Sequence, residues 1–412
     1  MRNFLIFTIG VGIQFWGAAV LAECAPAAPG TGGDLACTGI DEDGFESEAG
    51  SLSILIETGA IVNSASDGHG MDIAHNFNLL SNRGTVNADR DGVRGGQGLT
   101  LINEGVIAAG DDGVEISGKG AATLTNNGSI RAGDRAVEMD DDDGVGGAGN
   151  MVVNNGQIIS DDGEAIEGGD YAIIFNNPGA LIKGFDDAIQ LGESARILNF
   201  GTIQSVGRPD DPQDAIDLDS GSITNGAGAQ IISDLDAAID YDASAMPSYV
   251  ENAGEIRGVK GIIVELGLDD PDSANVMAQV IANLPSGKII GSDGTALVLG
   301  AGEDVLINRA GGQISGSIQM GEDADTVVLE GSYAGDFGGM SAVVDGGAGE
   351  DTLLVRAYEF SQITSVTKAE DVMTLSLDNG VGAFRIALQG WETVTLGGVD
   401  HTMQEIAELA TP

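Results

Sequence analysis

The amino-acid sequence predicts an all-β chain, a right-handed parallel β-helix (solenoid) of about eleven coils with a small C-terminal β cap. Three observations lead there. A short aliphatic-x-Asn-x-Gly-x-aliphatic phrase returns ten times between Leu80 and Ile314, and a second, Asp-rich phrase follows it at matching intervals. The third is composition: 65 glycines in 412 residues are too many for stacked helix pairs, in which each interior glycine is costly.

The Asn phrase is clearest in Leu80-Ser-Asn-Arg-Gly-Thr-Val86, Leu101-Ile-Asn-Glu-Gly-Val-Ile107, Leu124-Thr-Asn-Asn-Gly-Ser-Ile130 and Val152-Val-Asn-Asn-Gly-Gln-Ile158. Its asparagines stand at 82, 103, 126, 154, 176, 199, 225, 252, 283 and 308, with steps of 21 to 31 residues. Each phrase is a few residues of period-2 alternation broken by Asn and Gly, the pattern of short strands meeting at a tight turn. Asn accepts unusual backbone conformations and bonds nearby main chain, so the stacked asparagines are read as structural, bonding coil to coil.

The second phrase is an Asp-rich turn followed by apolar, polar, apolar, as in Asp112-Gly-Val-Glu-Ile116, Asp187-Ala-Ile-Gln-Leu191 and Asp214-Ala-Ile-Asp-Leu218. In a strand the apolar pair points inward and the middle residue outward. The outward residues therefore form a column, read as Asp72, Arg94, Glu115, Glu138, Glu167, Gln190, Asp217, Asp240 and Glu265.

The flanks divide the chain further. Residues 1–22 read as a signal peptide, with Arg2, an apolar stretch from Phe4 to Val20 and a small-residue cleavage site at Val20-Leu-Ala22. Residues 23–50 form an N-terminal cap in which Cys24 and Cys37, the only cysteines, are expected to pair in an oxidising compartment. The β-helix proper spans 51–330, and 331–412 hold the final Gly/Asp-rich coils and the cap. No later segment has the apolar run of a transmembrane helix. Localisation is expected to be extracellular or cell-surface, with the periplasm as the other exported destination.

A net charge of −47, from 64 acidic and 17 basic residues, excludes duplex nucleic acid and anionic membrane surface as electrostatic partners. Cations, neutral sugars and basic proteins remain. The acidic column is the first candidate site, because like charges on neighbouring strands destabilise a sheet and a divalent cation would remove the repulsion. Calcium takes hard oxygen ligands, and the expected set is Glu115, Glu138, Glu167, Asp217 and Asp240, helped by turns such as Asp111-Asp112. The alternative is a solvated acidic face screened by salt.

Glycoside hydrolysis needs two carboxylates about 5 to 9.5 Å apart, and Glu138 with Glu167 is the candidate pair. A calcium-assisted lyase would need a basic residue beside such acids, for which Arg94 is the candidate. Against both, acids recur in every coil whereas catalysis wants one unrepeated constellation. Asp67-Gly-His-Gly70 has the look of a catalytic string in β-helical polygalacturonases, yet it aligns as one more copy of the Asp phrase, with His69 in the turn.

In the C-terminal third, Gly346-Gly-Ala-Gly-Glu-Asp-Thr-Leu353 matches the Gly-Gly-x-Gly-x-Asp nonapeptide of calcium β-rolls. Asp351 is accordingly a calcium candidate, the alternative being a Gly-rich turn that continues the solenoid. Asp304 and Asp325 sit in looser copies, 21 and 26 residues apart along the series, so each nonapeptide lacks the adjacent partner of a roll. Alternation in Met373 to Leu377, Phe384 to Leu388 and Glu392 to Leu396 predicts antiparallel capping strands, and His401 to Leu409 a short helix.

With both phrases placed, residues 50 to 400 resemble the passenger region of bacterial autotransporters and related surface β-helix proteins. The shared elements are the Asn phrase, the Gly-x-Gly-x-Asp-Thr string and Gly390-Trp-Glu-Thr-Val-Thr-Leu396. The family's C-terminal translocator barrel is not seen before the end at Ala410-Thr-Pro412. The resemblance implies export and a surface role. The function expected is that of a structural or adhesive β-helix whose acidic lateral face binds calcium, an extracellular polysaccharide or a surface protein, with self-association through the solenoid ends. The alternative is a polysaccharide hydrolase or lyase.

Overall fold

The computed structural model describes residues 23–118, 122–139, 149–242, 246–264, 277–330, 342–381 and 383–409. Short strands joined by tight turns wind into a parallel β-solenoid of about eleven turns. A typical turn has three strands, such as Leu79–Asn82, Thr85–Ala88 and Val93–Gly95, each paired in parallel with its counterparts in the turns before and after. This gives three lateral faces, called here the Asn face, the middle face and the acidic face.

The core is aliphatic because each strand points alternate side chains inward. Leu80, Val86 and Val93 are fully buried, and so are Leu101, Ile107 and Val114 in the next turn. The ten asparagines that set the repeat are also fully buried and form one continuous ladder. Each Nδ2 donates to the Oδ1 of the Asn in the following turn at 2.8–3.0 Å, from Asn82 to Asn308 without a break. The same Nδ2 reaches a main-chain carbonyl of the next turn, as Asn154 does to Leu181 at 3.0 Å. The Oδ1 accepts the N–H two residues on, as at Gly156. Glycine is required there because a Cβ on Gly156 would run into the carbonyl of Gly128 one turn back.

The N-terminal edge of the Asn face is covered by Cys24–Ala25, antiparallel to Asp34–Cys37, with the disulfide Cys24–Cys37 across the pair. The far edge of that face is covered by Val399–Thr402, antiparallel to Thr393–Leu396. Turns built on Glu255–Val264, Lys288–Val298 and Gln313–Glu322 differ from the rest, since middle and acidic strands fuse into one.

The C-terminal expectations hold with one correction. Ile363–Ala369, Val372–Asp378 and Ala383–Gln389 form an antiparallel sheet, and Met403–Ala407 is a helix capped by Thr402. Thr393–Leu396, however, is a further parallel strand of the Asn face, paired with Thr352–Val355. Trp391 is buried beside it and donates its indole N–H to the carbonyl of Val344 at 2.8 Å. Alternation marks a strand but not the direction of its neighbour.

Candidate functional site

The register of the acidic face places Asp72, Arg94, Glu115, Glu138, Glu167, Gln190, Asp217 and Asp240 in one column, each directly beside the next. Two ends of the column differ from the expectation. Glu46, not foreseen, precedes Asp72. After Asp240 the position belongs to Ile263, because the strand fusion in Glu255–Val264 shortens the turn; Glu265 lies outside the described residues. The column then continues as Val298, Gln319 and Asp345, so the unbroken polar and acidic run ends at Asp240.

The expected repulsion is met partly from within the chain. Arg94 stands between Asp72 and Glu115, at 3.8 Å and 3.2 Å. Arg135 reaches along the solenoid axis from the turn before Glu138, and its Nη1 lies 2.8 Å from both Glu138 and Glu167 while Nε lies 3.3 Å from Asp112. Glu138 and Glu167, the pair suggested for glycoside hydrolysis, thus share one guanidinium. Burial pushes the Glu138 carboxyl up to about 8, with Asp112 and Glu167 adding to the shift and Arg135 opposing it. Arg135 was not legible as a site residue, since it belongs to a turn rather than to the column.

Gln190 donates to Asp217 at 3.4 Å, and Asp187, 7% exposed, accepts the N–H of Asp214 at 2.7 Å. Burial, with the charges of Asp240, Asp187, Asp236 and Asp217, raises Asp214 to about 9; burial and Asp217 raise Asp187 to about 8.

At the near end Asp111, Asp112 and Asp134 bring one carboxylate oxygen each within 4.8 Å of one another. Hard oxygens at this spacing suit a calcium-sized ion, with water completing the six to eight ligands it takes. Asp134 comes from the turn following the Asp111-Asp112 pair, and the three converge because Gly110 and Gly133 stack at the same corner. Arg135 sits beside the cluster, 3.9 Å from Asp134, and its charge weakens any cation there.

One constellation occurs once among the described residues. His69 Nδ1 lies 2.7 Å from Asp91 Oδ2, and Asp91 is buried at the corner next to Glu115 and Arg94. Burial, with a hydrogen bond and repulsion from Asp91, raises Glu115 to about 7. As the sequence indicated, Met71–Ile73 aligns with Val93–Gly95, so His69 occupies the preceding turn.

Asp351 is fully buried. Its Oδ1 accepts the N–H of Asp325 at 2.8 Å, Asp325 accepts that of Asp304 at 2.8 Å, and Asp304 that of Gln279 at 2.6 Å. The ladder ends where Glu392 accepts the N–H of Asp351. The three copies do have partners, because their separation is that of the coil. Burial lifts Asp304 to about 8 and Asp325 to about 7 and also raises Asp351.

Comparison of the chain with protein-family models, with curated proteins and with solved structures finds no match. Among the described residues no helix is long and apolar enough to cross a membrane.

Proposed function

We propose that this chain is an exported structural or adhesive β-solenoid whose acidic face takes up divalent cations, calcium first, and through them or directly holds an extracellular polysaccharide or surface protein. The observation that carries this reading is the convergence of Asp111, Asp112 and Asp134 at the edge of the acidic column. Three carboxylates beside an arginine fit a weak site, of the millimolar kind used by extracellular modules. The resemblance to autotransporter passengers supports export and a surface location, and the chain's excess of acid over base supports a cationic ligand. Calorimetric titration with calcium tests it: binding near millimolar, reduced in Asp111→Asn/Asp134→Asn, is expected, and absence of binding at 10 mM calcium, roughly tenfold above the weakest such modules, contradicts it.

The second reading, a polysaccharide-active enzyme, now rests on His69, Asp91, Arg94 and Glu115 rather than on Glu138 and Glu167. This group is unrepeated among the described residues, and burial raises its Glu115 to about 7, as a general acid requires. Release of reducing ends or unsaturated products from uronate or neutral polymers, lost in Glu115→Gln, would replace the first reading by this one.

A further inference from the structure

The three faces carry different surface chemistry, and the Asn face is the unexpected one. Every strand on it from Ser53–Ile56 to Thr393–Leu396 points two side chains outward. Among all of these only Arg196 and Glu251 are charged, in a chain with 64 acidic residues. The rest are aliphatic, aromatic, Ser or Thr. Across three successive turns the outward pairs are Met151 and Val153, Ile173 and Phe175, then Arg196 and Leu198. Apolar pairs alternate with Ser and Thr pairs such as Thr123 and Thr125 or Ser222 and Thr224, and an almost uncharged, largely apolar face of this extent on so acidic a chain marks an interaction surface.

We propose that a second copy of this chain covers the Asn face, the two solenoids packing sheet against sheet with their axes antiparallel. The placement of the two charges argues for this occupant. Arg196 lies one turn before Gly221–Asn225 and Glu251 one turn after it. A twofold axis running along that central strand sets Arg196 of one copy over Tyr249 and next to Glu251 of the other, twice. Tyr249 is 49% exposed, open to a guanidinium above its ring. The same operation sets the large Phe175 against the small Ala282, since these stand two turns before and two turns after the axis.

Area and electrostatics agree with the geometry. At ~4.8 Å per strand the face is roughly 60 Å long and ~13 Å wide, about 800 Å² per copy, which is the size of a standard stable interface. Two chains of charge −47 repel each other through their acidic faces, and the Asn face is where they approach without placing carboxylates together. The ends of this face are covered by Cys24–Ala25 and Val399–Thr402, so association is lateral rather than through the end strands suggested by the sequence.

Sedimentation velocity on the purified chain tests the proposal. A dimer is expected at tens of micromolar, on the scale of unoptimised interfaces of this area. Phe175→Glu should give a monomer with unchanged circular dichroism. Arg196→Glu should weaken the dimer ~10-fold or more by placing like charges together, and adding Glu251→Arg should restore it. The reversal pair is exposed and leaves the core untouched, so it remains decisive if Phe175→Glu fails to fold. A wild-type chain that stays monomeric to ~100 µM, far above the dissociation constants of standard interfaces, overturns the proposal and assigns the face to another molecule. A dimer indifferent to all three substitutions overturns it by placing the contact elsewhere.

Discussion

Nη1 of Arg135 lies 2.8 Å from Oε2 of Glu167, one turn of the solenoid away, and the same nitrogen holds Glu138 within its own turn. One guanidinium therefore offsets two stacked carboxylates and touches Asp112 as a third. Truncating it leaves those acids facing each other while half-buried. Arg135→Ala is expected to cost roughly 2 kcal/mol of stability at pH 8, between an exposed and a fully buried pair. The loss should shrink at pH 5, where Glu138 takes up a proton. Urea unfolding at the two pH values measures both terms.

The Asn ladder has a similar logic with neutral groups. Asn154→Ala leaves the Oδ1 of Asn176, the N–H of Gly156 and the carbonyl of Leu181 without their partner, while the Nδ2 of Asn126 keeps its bond to the carbonyl of Gln157. Each buried polar group stranded in this way costs about 1–3 kcal/mol. A destabilisation of at least ~3 kcal/mol is expected, exceeding that of Asn82→Ala at the ladder's first rung, and equilibrium denaturation compares the two.

Stability should fall as pH rises through neutrality. Asp187, Asp214, Asp304, Asp325, Glu115 and Glu138 are all raised, to between about 7 and about 9. A carboxyl whose folded value exceeds its unfolded value binds protons more tightly when folded. The unfolded chain then loses its protons first as pH climbs from about 4, and stability declines until the folded values are passed. Thermal unfolding should accordingly occur at a higher temperature at pH 5.5 than at pH 8.5. The opposite order would show these acids to be ionised and compensated in the fold.

The Asp304–Asp325–Asp351 ladder gives a sharper version. The same corner in earlier turns uses neutral Asn, with Asn78 accepting the N–H of Leu52 and Asn150 that of Ala122. In the late turns one oxygen of each Asp accepts a main-chain N–H while Oδ2 is buried without a hydrogen-bond partner. Asp325→Asn keeps the acceptor and removes the titrating proton. It should stabilise the chain at pH 5.5, already above the unfolded carboxyl's value, and more so at pH 8.5, flattening the pH profile of melting; destabilisation at both values would show that the ionised carboxylate is what the corner requires.

Much of this was readable from residues alone, and the exceptions have physical reasons. Two phrases sharing one irregular spacing determine a coil, so the faces and the acidic register up to Asp240 follow from Asn82 to Asn308 and from Asp72 onward. The column position that the spacing gives to Glu265 belongs to Ile263, because the fused strand Glu255–Val264 removes the turn that the spacing implies. The Asp ladder is hidden because a Gly-x-Asp string of β-roll type points to a neighbour nine residues away, whereas here the neighbours lie a full coil away, 21 and 26 residues on. Arg135 escaped for a different reason: its side chain runs along the solenoid axis, and spacing along the chain carries no information about that direction.

Melting of the full chain with calcium and with chelator tests most directly the claim that the acidic face takes up cations. At pH 8, where the raised carboxyls are more ionised than at neutrality, 5–10 mM calcium, several-fold above the roughly millimolar dissociation constants of weak extracellular sites, should raise the midpoint by several degrees over that in chelator. Magnesium should do so less, and Asp111→Asn/Asp134→Asn should lose most of the difference. A midpoint that does not move between calcium and chelator contradicts the account.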